Sequence, residues 1–162
     1  MSPETDPEQL AQRLGERLSR AGLRLAVAES CTGGWLAMAL TSVPGSSDWF
    51  DRGYVTYSNR SKQEMLGVRG QTLAAHGAVS GQTVAEMTQG VLDGSGVDLA
   101  LAISGIAGPG GGSAEKPVGT VWFAWQRRGE GARVERHRFA GDRRQVRRQA
   151  VVFALERLLA DG

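Results

Sequence analysis

The chain has 162 residues, 41% hydrophobic and 22% charged, with a formal net charge of +2 and a pI near 9.1. That length fits a single domain whose core needs neither disulfide nor metal, and the lack of a long apolar run excludes a transmembrane helix or secretory signal, which points to a soluble cytoplasmic protein. One cysteine, Cys31, with only His76 and His137 beside it, excludes an internal disulfide and leaves no zinc-type ligand set.

Asp6-Pro7-Glu8-Gln9 reads as an N-cap, a first-turn proline and a capping-box partner. They open a helix on which Leu10, Leu14 and Leu18 recur until Gly22. Leu23 to Ala28 has the short, mostly apolar character of a strand buried on both faces. A second helix runs from Gly33 to about Ser42 on Trp35, Leu36, Ala39 and Leu40, and Pro44-Gly45 stops it. Trp49 to Tyr57 is rich in strand formers and is the second strand; Ser58 or Asn59 then caps a short helix that Gly67 closes, placing Lys62 in its first or second turn.

Thr72 to Gly77 is ambiguous. Ser80 caps a helix carrying Val84, Met87, Val91 and Leu92, which Gly94-Ser95-Gly96 ends. The uninterrupted run Leu99 to Ile103 is the central strand. Val118 to Trp125 and Arg133 to Phe139 form a hairpin, which adds an antiparallel pair to otherwise parallel strands. The last helix begins near Asp142 and buries Val146, Ala150, Phe153, Ala154 and Leu158. This alternation predicts an α/β chain folded as a three-layer α/β/α sandwich around a mixed sheet, with polar loops at the carboxyl ends of the strands.

Two polar joins leave those ends. Ala28-Glu29-Ser30-Cys31-Thr32-Gly33-Gly34 connects the first strand to a helix, where unpaired N–H groups can hold a developing oxyanion beside a hydroxyl. Taken alone, it is better read as a plain connection with Ser30 or Thr32 as N-cap. Ser104 to Ser113 follows the central strand, and its glycines form a loop whose N–H groups can wrap an anion. Neither join matches a Walker or dinucleotide fingerprint, so no redox cofactor is expected.

His76 and His137 are unconvincing bases for a Ser-His-Asp triad, and Cys31 has the composition of a small buried thiol. A serine with a lysine base remains. Two lysines, Lys62 and Lys116, stand among 17 arginines. Arginine keeps its proton at any working pH whereas a desolvated lysine can lose it, so Lys62 is the candidate base, while compositional bias suffices for Lys116. Arg143, Arg144, Arg147 and Arg148 crowd the start of the last helix against its macrodipole, and a bound anion there would offset that cost.

Five motifs in order, Ala28 to Gly34, Thr56-Tyr57-Ser58-Asn59 with Lys62, His76 to Ser80, Ser104 to Pro109 and Lys116 to Val121, resemble the nicotinamide-nucleotide amidohydrolase family (PncC and the CinA C-terminal domain) from about residue 8 to the last helix. The resemblance implies a five-stranded mixed sheet and hydrolysis of the carboxamide of nicotinamide mononucleotide to nicotinic acid mononucleotide and ammonia, in pyridine nucleotide recycling, without metal or organic cofactor. It also implies Ser30 as nucleophile, Lys62 and Tyr57 as the proton-transfer group, and Thr32, Gly33, Ser47, Ser104, Gly105 and Arg144 as substrate-binding residues, Arg144 at the phosphate. The partner is then a small molecule, with no membrane and no nucleic acid, and a homo-oligomer is compatible with the sequence. The alternative, a non-catalytic nucleotide-binding or partner protein in DNA uptake or damage response, rests on the arginine count. Against it, the arginines alternate with acids except between Arg143 and Arg148.

Overall fold

The computed structural model describes residues 5–161. Asp6 caps α1 (Pro7–Ala21) by accepting the Glu8 N–H at 3.0 Å, and Gly22 closes the helix at φ 68°; Gln9 takes no part in the cap. β1 (Leu25–Glu29) is buried throughout. Helix α2 (Trp35–Thr41) begins later than its apolar spacing predicts, because Gly33 and Gly34 adopt φ values of 60° and 103° and hold residues 31–34 in a turn.

After one 3-10 turn at Ser46–Asp48 comes β2 (Phe50–Val55). Trp49 precedes this strand and fills the space left by Gly15 of α1, where a Cβ would lie 2.6 Å from the indole. Ser58 and Ser61 form a reciprocal box at the start of α3 (Asn59–Leu66). The ambiguous stretch is helical, α4 (Gly70–His76); it buries only Thr72 and Leu73, too little to leave a periodic signal. Ser80 caps α5 (Gly81–Gly94), and β3 (Leu99–Gly105), β4 (Thr120–Arg127), β5 (Arg133–Arg138) and α6 (Arg143–Ala160) complete the chain.

The five strands form one mixed sheet in the order β2-β1-β3-β4-β5, with β1 parallel to β2 and β3, and β4 antiparallel to β3 and β5. Strand alternation gives the two faces different textures. Leu25, Val27, Leu101, Ile103, Phe123 and Trp125 meet α1, α2 and α6 on one side, whereas Ala26, Ala28, Ala100, Ala102 and Ala124 let α5 lie close on the other. α6 is wedged between α1, α2 and the sheet, so it buries every residue from Ala150 to Leu155, while Leu158 is only half-buried. Phe153 anchors it with its ring centroid 4.7 Å from that of Phe123.

The chain runs from β1 outward to β2 and returns across β1 to β3. Strand direction of travel therefore reverses between β1 and β3, and the crevice beyond their carboxyl ends is the natural ligand position in an open α/β sheet.

Candidate active site

Register sets three strand ends in a row. Glu29 is paired with both Val55 and Ile103, so Ser30, the next residue, stands between Thr56 and Ser104. The Ser30 N–H donates to the Ile103 carbonyl at 3.0 Å, and the Thr56 N–H to the Glu29 carbonyl at 2.8 Å. Beneath the turn that follows Ser30, the wholly buried Glu29 carboxylate accepts from the Thr32 hydroxyl at 2.6 Å and from the Leu36 and Ala37 N–H groups at 2.9 and 3.0 Å. No side chain of the turn itself caps α2; a carboxylate from the preceding strand satisfies its first N–H groups.

Lys62 reaches the same point from α3. Its Nζ lies 3.0 Å from Ser30 Oγ and 2.6 Å from the Thr56 carbonyl oxygen, and the residue is 1% exposed. Burial pushes its pKa from 10.5 down to about 8. The neighbouring Cys31 moves the other way, because burial and the Glu29 charge push its thiol up to about 12, and a thiol so protonated is a poor nucleophile.

A cleft of about 270 Å³ opens above this pair, bounded by Ser104, Gly105, Tyr57 and Arg143 and by the glycine loop up to Gly111. Ser104 Oγ is buried against it without a hydrogen-bond partner, the one such side-chain atom among the described residues. A larger hollow of about 330 Å³ between α1, β4 and α6, walled by Leu14, Leu18 and Trp125 at the amino ends of β1 and β3, is lined by no serine, threonine, cysteine or lysine. Among the described residues no cluster of His, Cys, Asp and Glu is arranged to hold a metal, and no helix is long and apolar enough to cross a membrane.

Ser30, Lys62, Ser104 and Gly105 thus come together as the sequence motifs imply. Tyr57 lines the cleft too, but it is 60% exposed at the rim, and its hydroxyl meets Arg143 without touching Ser30 or Lys62. Thr32 is turned inward to Glu29, and Gly33 lies outside the cleft with Arg147 packed against it. Ser47 sits at the opposite end of the sheet: β1 and β2 are parallel, so the turn before β2 lies near Arg24, which donates to the Ser47 carbonyl. Arg144 also lies outside the cleft, its guanidinium 5.1 Å from the centroid of the Trp35 ring.

The other arginines of α6 have separate duties. Arg147 donates to the carbonyls of Cys31 and Thr32 at 3.0 and 3.2 Å, Arg148 donates to that of Thr5, and Arg143 alone enters the cleft. Backbone carbonyls, more than one shared anion, account for the crowding. Glu29 and Arg147 are the supports that sequence reasoning missed. The usable signal for Glu29 was a carboxylate ending an otherwise apolar buried strand; for Arg147, whose partners are main-chain atoms, the sequence carries no sign.

The family model for the CinA C-terminal domain matches residues 7–161. The nicotinamide-nucleotide amidohydrolase PncC of Escherichia coli (strain K12) is 55% identical over 157 residues, covering 95% of this chain and 94% of that protein. PncC of Pseudomonas putida is 54% identical over 155 residues, covering 94% and 95%. Among solved structures, the competence/damage inducible protein CihA of Agrobacterium tumefaciens superposes with a TM-score of 0.93 at 46% identity, covering 99% of this chain and 98% of that one. Matched in sequence and in fold over nearly its whole length, the chain belongs to the CinA C-terminal domain family.

Proposed function

We propose that the protein is an amidase that hydrolyses the carboxamide of nicotinamide mononucleotide to nicotinic acid mononucleotide and ammonia, as a step of pyridine nucleotide recycling. The names of its relatives in Escherichia coli and Pseudomonas putida support the substrate, and the 3.0 Å contact between Lys62 Nζ and Ser30 Oγ carries the mechanism. Neutral Lys62 takes the Ser30 proton as Oγ attacks the carboxamide carbon, forming a tetrahedral oxyanion. The unpartnered Ser104 hydroxyl, one strand away, donates to that oxygen. Protonated Lys62 then gives its proton to the amide nitrogen, the C–N bond breaks, ammonia leaves and an acyl ester remains on Ser30. Lys62, neutral again, deprotonates a water that attacks the ester, and return of the proton to Ser30 releases the carboxylate.

The test is ammonia release from nicotinamide mononucleotide by the purified protein and by Ser30→Ala. The variant loses turnover by several orders of magnitude and keeps substrate binding and unfolding temperature, because the lost hydroxyl faces the cleft and its removal opens no cavity in the apolar core. Near-native turnover by Ser30→Ala would remove Ser30 from the mechanism. Steeply salt-dependent DNA binding without ammonia release would instead favour the non-catalytic reading.

A further inference from the structure

The two ends of the cleft differ in chemistry. Its floor is Ser30, Lys62 and Ser104, all buried; its mouth is the exposed Tyr57 and the Arg143 guanidinium. Arg143 Nη2 donates to the Tyr57 hydroxyl at 2.8 Å, and Nη1 donates to the Gly108 carbonyl at 2.9 Å, so the guanidinium bridges the end of β2 and the glycine loop. Those two bonds use two of its five N–H donors. No carboxylate lines the cleft, and Arg143 is in no salt bridge among the described residues. Beside it, the backbone N–H groups of Ala107, Gly108, Gly110 and Gly111 donate to no protein acceptor. The mouth is a concentration of free donors around one uncompensated cation.

Tyr57 belongs to this group by its contacts. Lys62 Nζ is hydrogen-bonded to Ser30 Oγ and the Thr56 carbonyl and not to Tyr57, whose side chain is exposed at the rim with its hydroxyl on Arg143. Its hydroxyl accepts from Arg143 and keeps its own proton free to donate.

We infer that Arg143 and the Tyr57 hydroxyl form the subsite for the substrate's 5′-phosphate at the cleft mouth, and that Tyr57 serves binding and takes no part in proton transfer. The inference rests on the amidase reading for its substrate. The carboxamide enters first and reaches Ser30, and the phosphate stays at the rim, where it replaces the Tyr57 and Gly108 contacts of the guanidinium with charge-assisted ones.

The experiment compares kcat and KM for nicotinamide mononucleotide and nicotinamide riboside, which has the same carboxamide and no phosphate, in the native protein and in Arg143→Ala, Arg144→Ala and Tyr57→Phe. For Arg143→Ala, KM for the mononucleotide rises about tenfold to a hundredfold while kcat and all riboside kinetics change little. Tyr57→Phe raises the mononucleotide KM several-fold and leaves kcat and its pH profile in place; Arg144→Ala behaves as the native protein. Equal losses on both substrates for Arg143→Ala, a phosphate-selective loss for Arg144→Ala, or a collapse of kcat in Tyr57→Phe would overturn the inference. If the native protein releases no ammonia from either compound, the amidase reading fails and calorimetric titration decides the subsite. Mononucleotide binding that exceeds riboside binding and that Arg143→Ala abolishes sustains it; equal binding by native and variant proteins ends it.

Discussion

Lys62 is among the largest fully buried side chains of the described chain, in the company of Phe123 and Leu14, and a lysine at that depth is unfavourable unless its neutral form is used. Its folded pKa, about 8, lies below the unfolded value near 10.4, so between these the unfolded chain binds the extra proton and stability rises with pH. Cys31 opposes this, since a thiol raised in the folded state loses stability as pH climbs past its unfolded value. Comparison with Lys62→Met isolates the lysine: from about pH 8 to about pH 9.5 the native protein gains on the order of 2 kcal/mol relative to the variant in urea unfolding. A constant difference across that range means that the lysine is not held neutral. The same pKa predicts that turnover climbs with pH through about 8 and levels off above it. Lys62→Arg, which keeps a cation but cannot give up its proton, is inactive at every pH, and activity with an unchanged profile would make Lys62 only a charge.

At the scale of elements, the nucleophile depends on how β1 passes into α2. Two positive-φ glycines shape the turn and the Glu29 carboxylate ties its far side to Thr32, Leu36 and Ala37, so Ser30 is held between a strand and a helix by three hydrogen bonds that never touch it. Glu29→Ala leaves two buried donors and one part-buried donor without their acceptor, and at roughly 1 kcal/mol or more for each buried one the fold loses on the order of 2 kcal/mol or more in chemical unfolding. Glu29→Gln keeps two acceptor lone pairs and loses less, and kcat falls in both because Ser30 is no longer fixed. A loss below about 0.5 kcal/mol in Glu29→Ala would show that water replaces the carboxylate. This element also shows what the sequence could disclose. The caps Asp6 and Ser80 were legible, and Ser58 was one of two candidates at its helix, because a cap acts on its own chain neighbours; Asp142 was legible only as the approximate start of α6. Glu29 acts seven and eight residues ahead, across a turn whose geometry only the glycines' dihedrals reveal. The roles of Arg143, Arg144 and Arg147 diverge for a similar reason: successive helix positions point about 100° apart, so one guanidinium reaches the cleft and the next lies on Trp35.

In the whole molecule, the site is the place where the sheet's parallel centre meets helices from both layers. Ser30, Thr56 and Ser104 come from the adjacent ends of β1, β2 and β3; Lys62 comes from the layer of α3, α4 and α5, and Arg143 and Arg147 from the layer of α1, α2 and α6. The pattern of apolar runs made the layers and the central strand readable, since each run buries a face by its own period. The spacing between packed helices was not readable, because it depends on which small residues face each other. Gly90 of α5 is the sharpest case: a Cβ there would stand 2.0 Å from the carbonyl oxygen of Leu66, at the end of α3, so the two helices touch at backbone. An added methyl has no flexible side chain to displace, and α3 must move as a body, taking Lys62 away from Ser30. Gly90→Ala therefore lowers stability by about 1 to 3 kcal/mol through overpacking, despite the better helix propensity of alanine. Its kcat falls at least tenfold at temperatures where the variant is fully folded, because a shift of about 1 Å at a distant position is enough to spoil the alignment of a base and its nucleophile. Gly96, where a Cβ would meet nothing, is the control, and Gly96→Ala keeps native turnover. Full activity in a folded, destabilised Gly90→Ala would show that α3 carries Lys62 on a looser mounting than the backbone contact at Leu66 implies.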